Sequence, residues 1–323
     1  MTVALVLALA ASFVMTRILI SLSPQLGLVD YPNERSLHTA PVATIGGVSI
    51  QVGMLAGLGT MHFDTSVTFL CSIAGAALLL LILIFDEWKQ LSWVQKLAIQ
   101  VAASALVCWI ASLDLLAGPA LGLVLAIALI VFLQNIYNFM DGMDGLSGLV
   151  GVVASWFLYV IHRDTSPELA MVCTVLSVSC VGFVIWNLPP ARIFMGDVGS
   201  HFLGLVFGWV ALTGQSFGVP VYVSLMPIGA FLFDACYTIV LRAWRRENLT
   251  QAHRFHLYQR MNLTGWSSIK VDAIYVAWSI AFGMSGIALA RGQWMVESLA
   301  LTGVSTMIVT VVAETRWRRM GVA

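Results

Sequence analysis

Long apolar runs, each close to the length of a membrane-crossing helix, alternate with short polar connections along the chain. A spanning helix needs roughly 20 consecutive apolar residues, with a range of about 17–25. Eleven segments meet or approach that length: 3–22, 45–61, 67–85, 94–111, 119–137, 146–161, 168–186, 200–214, 219–241, 271–290 and 294–312. The first lacks a charged n-region and a small-residue cleavage site, so it is read as a helix and not as a signal peptide. No internal repeat, low-complexity stretch or long linker divides the sequence. These patterns predict an all-α integral membrane protein, a polytopic bundle of about eleven helices forming one domain over 1–323.

The basic residues set an orientation. With the N-terminus outside, the inner connections are 23–44, 86–93, 138–145, 187–199, 242–270 and the tail 313–323. All 16 Lys and Arg residues except Arg163 and Arg291 lie in or beside those connections or near the inner ends of their helices. Such a bias marks the cytoplasmic side, and the tail RWRR suits a helix end at anionic lipid. Composition agrees, with 59% hydrophobic and 10% charged residues, against about 25% charged in soluble domains. Acidic and basic residues balance at 16 each, so nothing draws the chain to nucleic acid. The five cysteines stand alone in apolar runs without a CxxC pair and are read as buried structural residues.

Candidate chemistry collects on one side. The outer connections are short and ordinary, whereas the inner ones hold most of the carboxylates, histidines and asparagines. In QNIYNFMDGMDGLSG, residues 134–148, the spacing of Asn138, Asp141 and Asp144 projects them from roughly one side of a helix end. Gly142, Gly145 and Gly148 allow a ligand or another helix to come close to the backbone. In WNLPPARIFMGDVGSHFLG, residues 186–204, prolines stop one helix, and Asp197 is either the cap of the next or part of a metal or phosphate site beside Asn187. Asp86 and Glu87 are adjacent acids that repel unless a cation or proton intervenes. His253, Arg254 and His256 suit a grip on a diphosphate better than a zinc site. A polar loop before Gly46–Gly47 carries Arg35 and His38. Carboxylates beside cations suit metal-assisted phosphoryl transfer. No P-loop, GxSxG or HExxH signature is present.

Over roughly residues 30–270 the sequence resembles the polyprenyl-phosphate N-acetylhexosamine-1-phosphate transferases. NIYNFMDGMDGLSG resembles their Asn-x-x-Asn-x-x-Asp-Gly-x-Asp-Gly-Leu segment, and NLPPARIFMGDVGS is similar to their Asn-x-x-Pro-Ala-x-x-Phe-Met-Gly-Asp segment. HRFHLYQRM looks most like the O-antigen-initiating branch, and its His-x-x-His differs from the three consecutive histidines of the muramyl-pentapeptide branch. The resemblance implies that Asp197 coordinates magnesium (manganese being the alternative) and that Asp86 deprotonates the lipid phosphate. It implies that Asn138, Asp141 and Asn187 line the nucleotide and diphosphate path. Phe194 would stack on uracil, with Phe139, Gly142 and Asp144 completing that pocket. His253, Arg254 and His256 would hold the diphosphate or sugar, with Lys96 and His38 bordering the cleft. Glu87 stands where the family has its second Asp.

The expected reaction is transfer of a sugar-1-phosphate from a UDP-N-acetylhexosamine to undecaprenyl phosphate, releasing UMP. It would occur at the cytoplasmic face of a bacterial inner membrane, early in O-antigen or related polysaccharide synthesis. A homodimer is a further expectation, as for many polytopic enzymes of this size. The rival reading is a transporter or flippase, supported by Asp234, an isolated acid inside the ninth apolar run.

Overall fold

The computed structural model describes residues 1–32, 40–61, 74–77, 81–89, 91–111, 119–248 and 255–319, apart from the side chains of Phe85, Glu87 and Trp88. Helix α1 covers Thr2–Leu26 and leads to a two-stranded antiparallel ribbon, β1 (Val29–Asp30) and β2 (Val42–Ala43), with Val29 opposite Ala43. There follow α2 (Gly47–Leu58), α3 (Ile84–Lys89), α4 (Trp93–Ile110), α5 (Pro119–Phe139), α6 (Leu146–His162), α7 (Pro167–Asn187) and α8 (Gly196–Ser216). The chain then forms α9 (Val221–Leu225), α10 (Gly229–Trp244), α11 (Leu257–Leu263), α12 (Ser268–Ala290) and α13 (Met295–Arg319). Among the described residues, 7 helical segments are long and apolar enough to cross a membrane. With that composition the protein is an all-α integral membrane protein.

Helix α8 forms the centre. Every residue from Val198 to Gly214 is buried, so neighbours cover this helix on all sides, which matches a sequence that is apolar almost all round. The ninth apolar run differs from the single helix expected over 219–241. It starts as α9, passes through a 3-10 turn at Met226–Ile228 and resumes as α10. Pro227 lacks an N–H for an uninterrupted helix, which accounts for the break. The run 67–85 lies largely outside the described residues.

Local sequence sets where helices begin and end at the polar pole. Ser92 caps α4: Gln95 N–H donates to Ser92 Oγ at 3.4 Å, and Ser92 N–H donates to Gln95 Oε1 at 2.9 Å. This reciprocal box fixes the first turn, where Lys96 lies. Deeper in the bundle, Gln134 Nε2 donates to Ser104 Oγ at 2.9 Å and Asn135 Nδ2 to Gln100 Oε1 at 2.7 Å, fastening α4 to α5. Apolar surface gives no preference for protein over lipid, so such bonds and close packing hold membrane helices together.

The tightest approach joins the starts of α2 and α8. A Cβ on Gly47 would lie 2.0 Å from the Gly199 Cα, so the two backbones touch with no side chain between them. Backbone bonds continue the seam: Gly46 N–H donates to Phe194 O, Gly47 N–H to Met195 O and Phe194 N–H to Ala43 O, each at 2.8 Å. Placing a side chain here forces backbone movement, which typically costs about 1–3 kcal/mol. Gly47→Val is expected to lower the melting temperature of the purified protein by several degrees. Gly303→Ala, where nothing lies within 4 Å of the added carbon, is expected to leave it unchanged.

Candidate active site

The site is built where helix ends from distant parts of the sequence converge. Lys96 Nζ sits 2.5 Å from Asp86 Oδ2 and 2.8 Å from Asp197 Oδ2, bridging two carboxylates, the second of them 101 residues further along the sequence from Lys96. The remaining oxygens are engaged as well. Asp86 Oδ1 accepts the Leu91 N–H at 2.6 Å, and Asp197 Oδ1 accepts Asn138 Nδ2 at 2.9 Å. Asn138 also donates to Ser200 Oγ at 3.0 Å, and His201 Nδ1 lies 2.7 Å from the Asp197 carbonyl oxygen. Asp197 lies in the first turn of α8, where the helix dipole favours a negative charge. The N-cap position belongs to Met195, without a side-chain cap bond, so Asp197 is not the cap that the sequence allows: its carboxylate turns to Lys96 and Asn138 instead.

Asp141 lies just beyond α5 and accepts a hydrogen bond from Ser147 Oγ. Burial pushes its carboxyl up to about 8, the Ser147 bond pulls the other way, and the nearby Asp197 charge raises it further. Near neutral pH Asp141 therefore carries its proton for much of the time and adds little negative charge to the cluster. Asp144 Oδ2 accepts the Ala191 N–H at 2.9 Å. Asn187 Oδ1 accepts the Gly145 N–H at 3.1 Å, while its Nδ2 donates to Ile193 O at 2.8 Å. Asn187 thus braces the two motif loops against each other. Gly142 faces a protein group: a Cβ there would lie 2.2 Å from the Tyr258 hydroxyl, which itself donates to Phe139 O at 3.2 Å. Phe139 is 42% exposed and Phe194 partly exposed at this end.

The basic loop is held by an acid that sequence patterning assigned elsewhere. Asp234, fully buried in α10, accepts from Leu257 N–H at 2.8 Å, Tyr258 N–H at 3.3 Å and Tyr275 Oη at 2.5 Å. Thr238 Oγ1 donates to it at 3.2 Å, and His256 Nδ1 lies 3.3 Å away. His256 occupies the N-cap position of α11, and its ring lies 6.2 Å from that of Phe139. Asp234 therefore docks the start of α11, and that role accounts for an ionisable group at membrane depth. His38, His253, Arg254 and the Glu87 side chain lie outside the described residues.

Ser147, Ser200, His201 and Tyr258 were not singled out in the sequence. His201 had a signal, standing one helical turn after Asp197, whereas Tyr258 had none. Among the described residues no three His, Cys, Asp or Glu side chains converge as a complete metal cage. The donor set still fits a hard cation. Asp86 and Asp197 already close on one positive group, and magnesium usually keeps part of its shell for water and phosphate.

Comparison with known proteins follows the same residues. The family model for glycosyl transferase family 4 matches residues 69–215, which include Asp86, Lys96, Asn138, Asp141 and Asp197. The chain is 27% identical to a probable undecaprenyl-phosphate N-acetylglucosaminyl 1-phosphate transferase of Bacillus subtilis, over 97% of this chain and 91% of that protein. It is 28% identical to a decaprenyl-phosphate N-acetylglucosaminephosphotransferase of Mycobacterium leprae, over 89% and 84% of the two chains. A phospho-N-acetylmuramoyl-pentapeptide-transferase of Mycolicibacterium smegmatis matches at 30% over 40% of this chain and 35% of its own. Fold and matches together define a membrane-embedded transferase. More narrowly, these matches support the polyprenyl-phosphate hexosamine-1-phosphate transferase superfamily, whose members the chain resembles over most of its length.

Two outcomes follow from this geometry. A raised carboxyl pKa stabilises the fold fully below the unfolded value of 3.8, and that contribution is lost as pH rises through about 8. The wild type is therefore expected to lose melting temperature relative to Asp141→Asn between about pH 5 and about pH 8.5. Asp234→Ala is expected to release the start of α11, read as faster proteolysis between Trp244 and Leu257 and as a melting temperature lowered by several degrees.

Proposed function

We propose that the protein transfers N-acetylhexosamine-1-phosphate from a UDP-sugar to undecaprenyl phosphate, giving the lipid diphosphate sugar and UMP. The supporting observation is the gathering of Asp86 and Asp197 on Lys96, with Asn138 fixing Asp197. Carboxylates, an ammonium and amide donors at one end of an apolar bundle suit a reaction between a soluble diphosphate and a phosphate anchored in lipid. The same pole carries the basic connections, so it is assigned to the cytoplasmic face of a bacterial inner membrane. The product would start O-antigen or a related surface polysaccharide.

A lipid phosphate oxygen attacks the β-phosphorus of the donor, a new P–O bond forms, and the bond to the bridging oxygen breaks with its electron pair leaving on UMP. Asp86 has little proton to remove, because a phosphate monoester is largely ionised near neutral pH. Held by Lys96 and the Leu91 N–H, the Asp86 carboxylate is suited to fixing charge and position. Asp197 and Asp86 would hold magnesium, which would supply charge neutralisation at the diphosphate. Lys96 offers an ammonium that can pass from carboxylate to phosphate, and Asn138 keeps Asp197 aligned while it does so. His256 is tied down at the rim by Asp234, where it faces the Phe139 ring and suits a grip on the diphosphate or sugar. The transporter reading loses its main support, since Asp234 is committed to docking α11.

UMP release by the purified protein with undecaprenyl phosphate, magnesium and a panel of UDP-N-acetyl sugars tests the assignment. Release with one sugar, absent without metal and reduced at least about a hundredfold in Asp197→Ala, is expected. No release with any sugar, while a related transferase is active in the same assay, would overturn it.

A further inference from the structure

Away from the acid cluster, a cavity of about 430 Å³ opens between α1 and the end of α7, walled by Phe13, Ile185, Trp186 and Leu188 and closed by Pro190 and Arg192. Two guanidinium groups meet the same indole there. The Arg17 Cζ lies 5.9 Å and the Arg192 Cζ 5.4 Å from the Trp186 ring centroid. Arg17 donates to Ser21 Oγ at 2.7 Å, and neither arginine pairs with a carboxylate among the described residues. The Trp186 indole N–H is buried and meets no acceptor among them. Ile185 and Leu188 expose 52% and 44% of their surface, as groups facing lipid do.

The indole offsets only part of each guanidinium's charge, and without a carboxylate partner each keeps donors for an anion. A ligand that suits two guanidinium groups without carboxylate partners, beside aromatic and aliphatic walls, is an oxyanion carrying an apolar tail. We propose that this cavity docks the phosphodiester of an anionic membrane phospholipid, with its acyl chains lying against Phe13, Ile185 and Leu188. Arginine forks suit phosphate oxygens, and the arginines stand at the pole assigned to the anionic leaflet. The phospholipid is favoured over the polyprenyl acceptor because none of the lining residues belongs to the Asp86–Lys96–Asp197 cluster. A phosphate held here is therefore not at the reacting centre.

Occupancy has a route to the site. The loop that walls the cavity with Pro189 and Pro190 continues to Ala191, whose N–H holds Asp144, and the Arg192 N–H donates to Trp186 O at 2.9 Å. A lipid seated on Trp186 and Arg192 stiffens the segment that braces Asp144.

Binding is read without the transfer reaction, by native mass spectrometry and melting temperature in nanodiscs of dioleoyl phosphatidylcholine with or without dioleoyl phosphatidylglycerol. The wild type is expected to retain phosphatidylglycerol and to melt several degrees higher with it. The double variant Arg17→Gln/Arg192→Gln is expected to lose about tenfold in affinity while melting unchanged in phosphatidylcholine alone. The charge-matched control Arg163→Gln/Arg291→Gln removes the two positive charges that lie on the opposite side and is expected to keep the retained lipid. Equal retention by the Arg17/Arg192 double variant would overturn the proposal, as would equal stabilisation of the wild type by inorganic phosphate alone. Retention of undecaprenyl phosphate but not phosphatidylglycerol would assign the cavity to the acceptor and overturn it too.

Discussion

The site depends on one ammonium shared by two carboxylates. Asp86, Lys96 and Asp197 come from three helices, α3, α4 and α8, and no short-range sequence preference brings them together. An unpaired carboxylate at the end of an apolar bundle carries a desolvation penalty that a nearby cation offsets. Lys96 supplies that cation, and the Ser92–Gln95 capping box fixes the turn that carries it. The position of α4 along its axis is thereby coupled to the first turn of α8. Asn138 extends the coupling to α5.

A second buried acid settles a different problem. The connection after α10 is polar and long, and the chain re-enters the bundle at α11, at an end already occupied by the motif loops, where Tyr258 donates to Phe139 O. Asp234 receives two backbone N–H groups from the start of α11 together with the Tyr275 hydroxyl. Those bonds satisfy orphan donors at a helix start and turn the His256 ring toward Phe139. From α11, Arg260 pairs with Glu314 of α13 and donates to Phe255 O at 2.6 Å. The far C-terminal helix is in this way tied to the loop that borders the site.

Much of the site could be read from the order of residues. Asn138, Asp141, Asp144 and Asp197 stand out because polar groups at helix ends, all on one side of a membrane, have few ordinary roles, whereas Lys96 enters only through the family resemblance. Their partnerships could not be read, since Lys96 and Asp197 are 101 residues apart. Asp234 was conspicuous for the right physical reason, its burial, but its partners in α11 and α12 belong to tertiary structure. Hydropathy gave the ninth run as one helix, because a sliding apolar average does not register the turn at Pro227. The contact between Gly47 and Gly199 left no trace beyond two glycines, although it fixes where α8 begins.

Charge balance connects the resting arrangement to phosphoryl transfer. Asp86 and Asp197 with Lys96 leave one net negative charge, and Asp141, whose carboxyl is pushed up to about 8, adds little to it. A further ionised carboxylate in that space would repel a diphosphate, whereas a protonated one can donate to it. In the proposed reaction, a largely neutral Asp141 would let this acid-rich pole accept an anion. Lys96 would then be the principal group to change partners from carboxylate to phosphate, and its flexible four-carbon stem would suit that exchange better than a guanidinium fork.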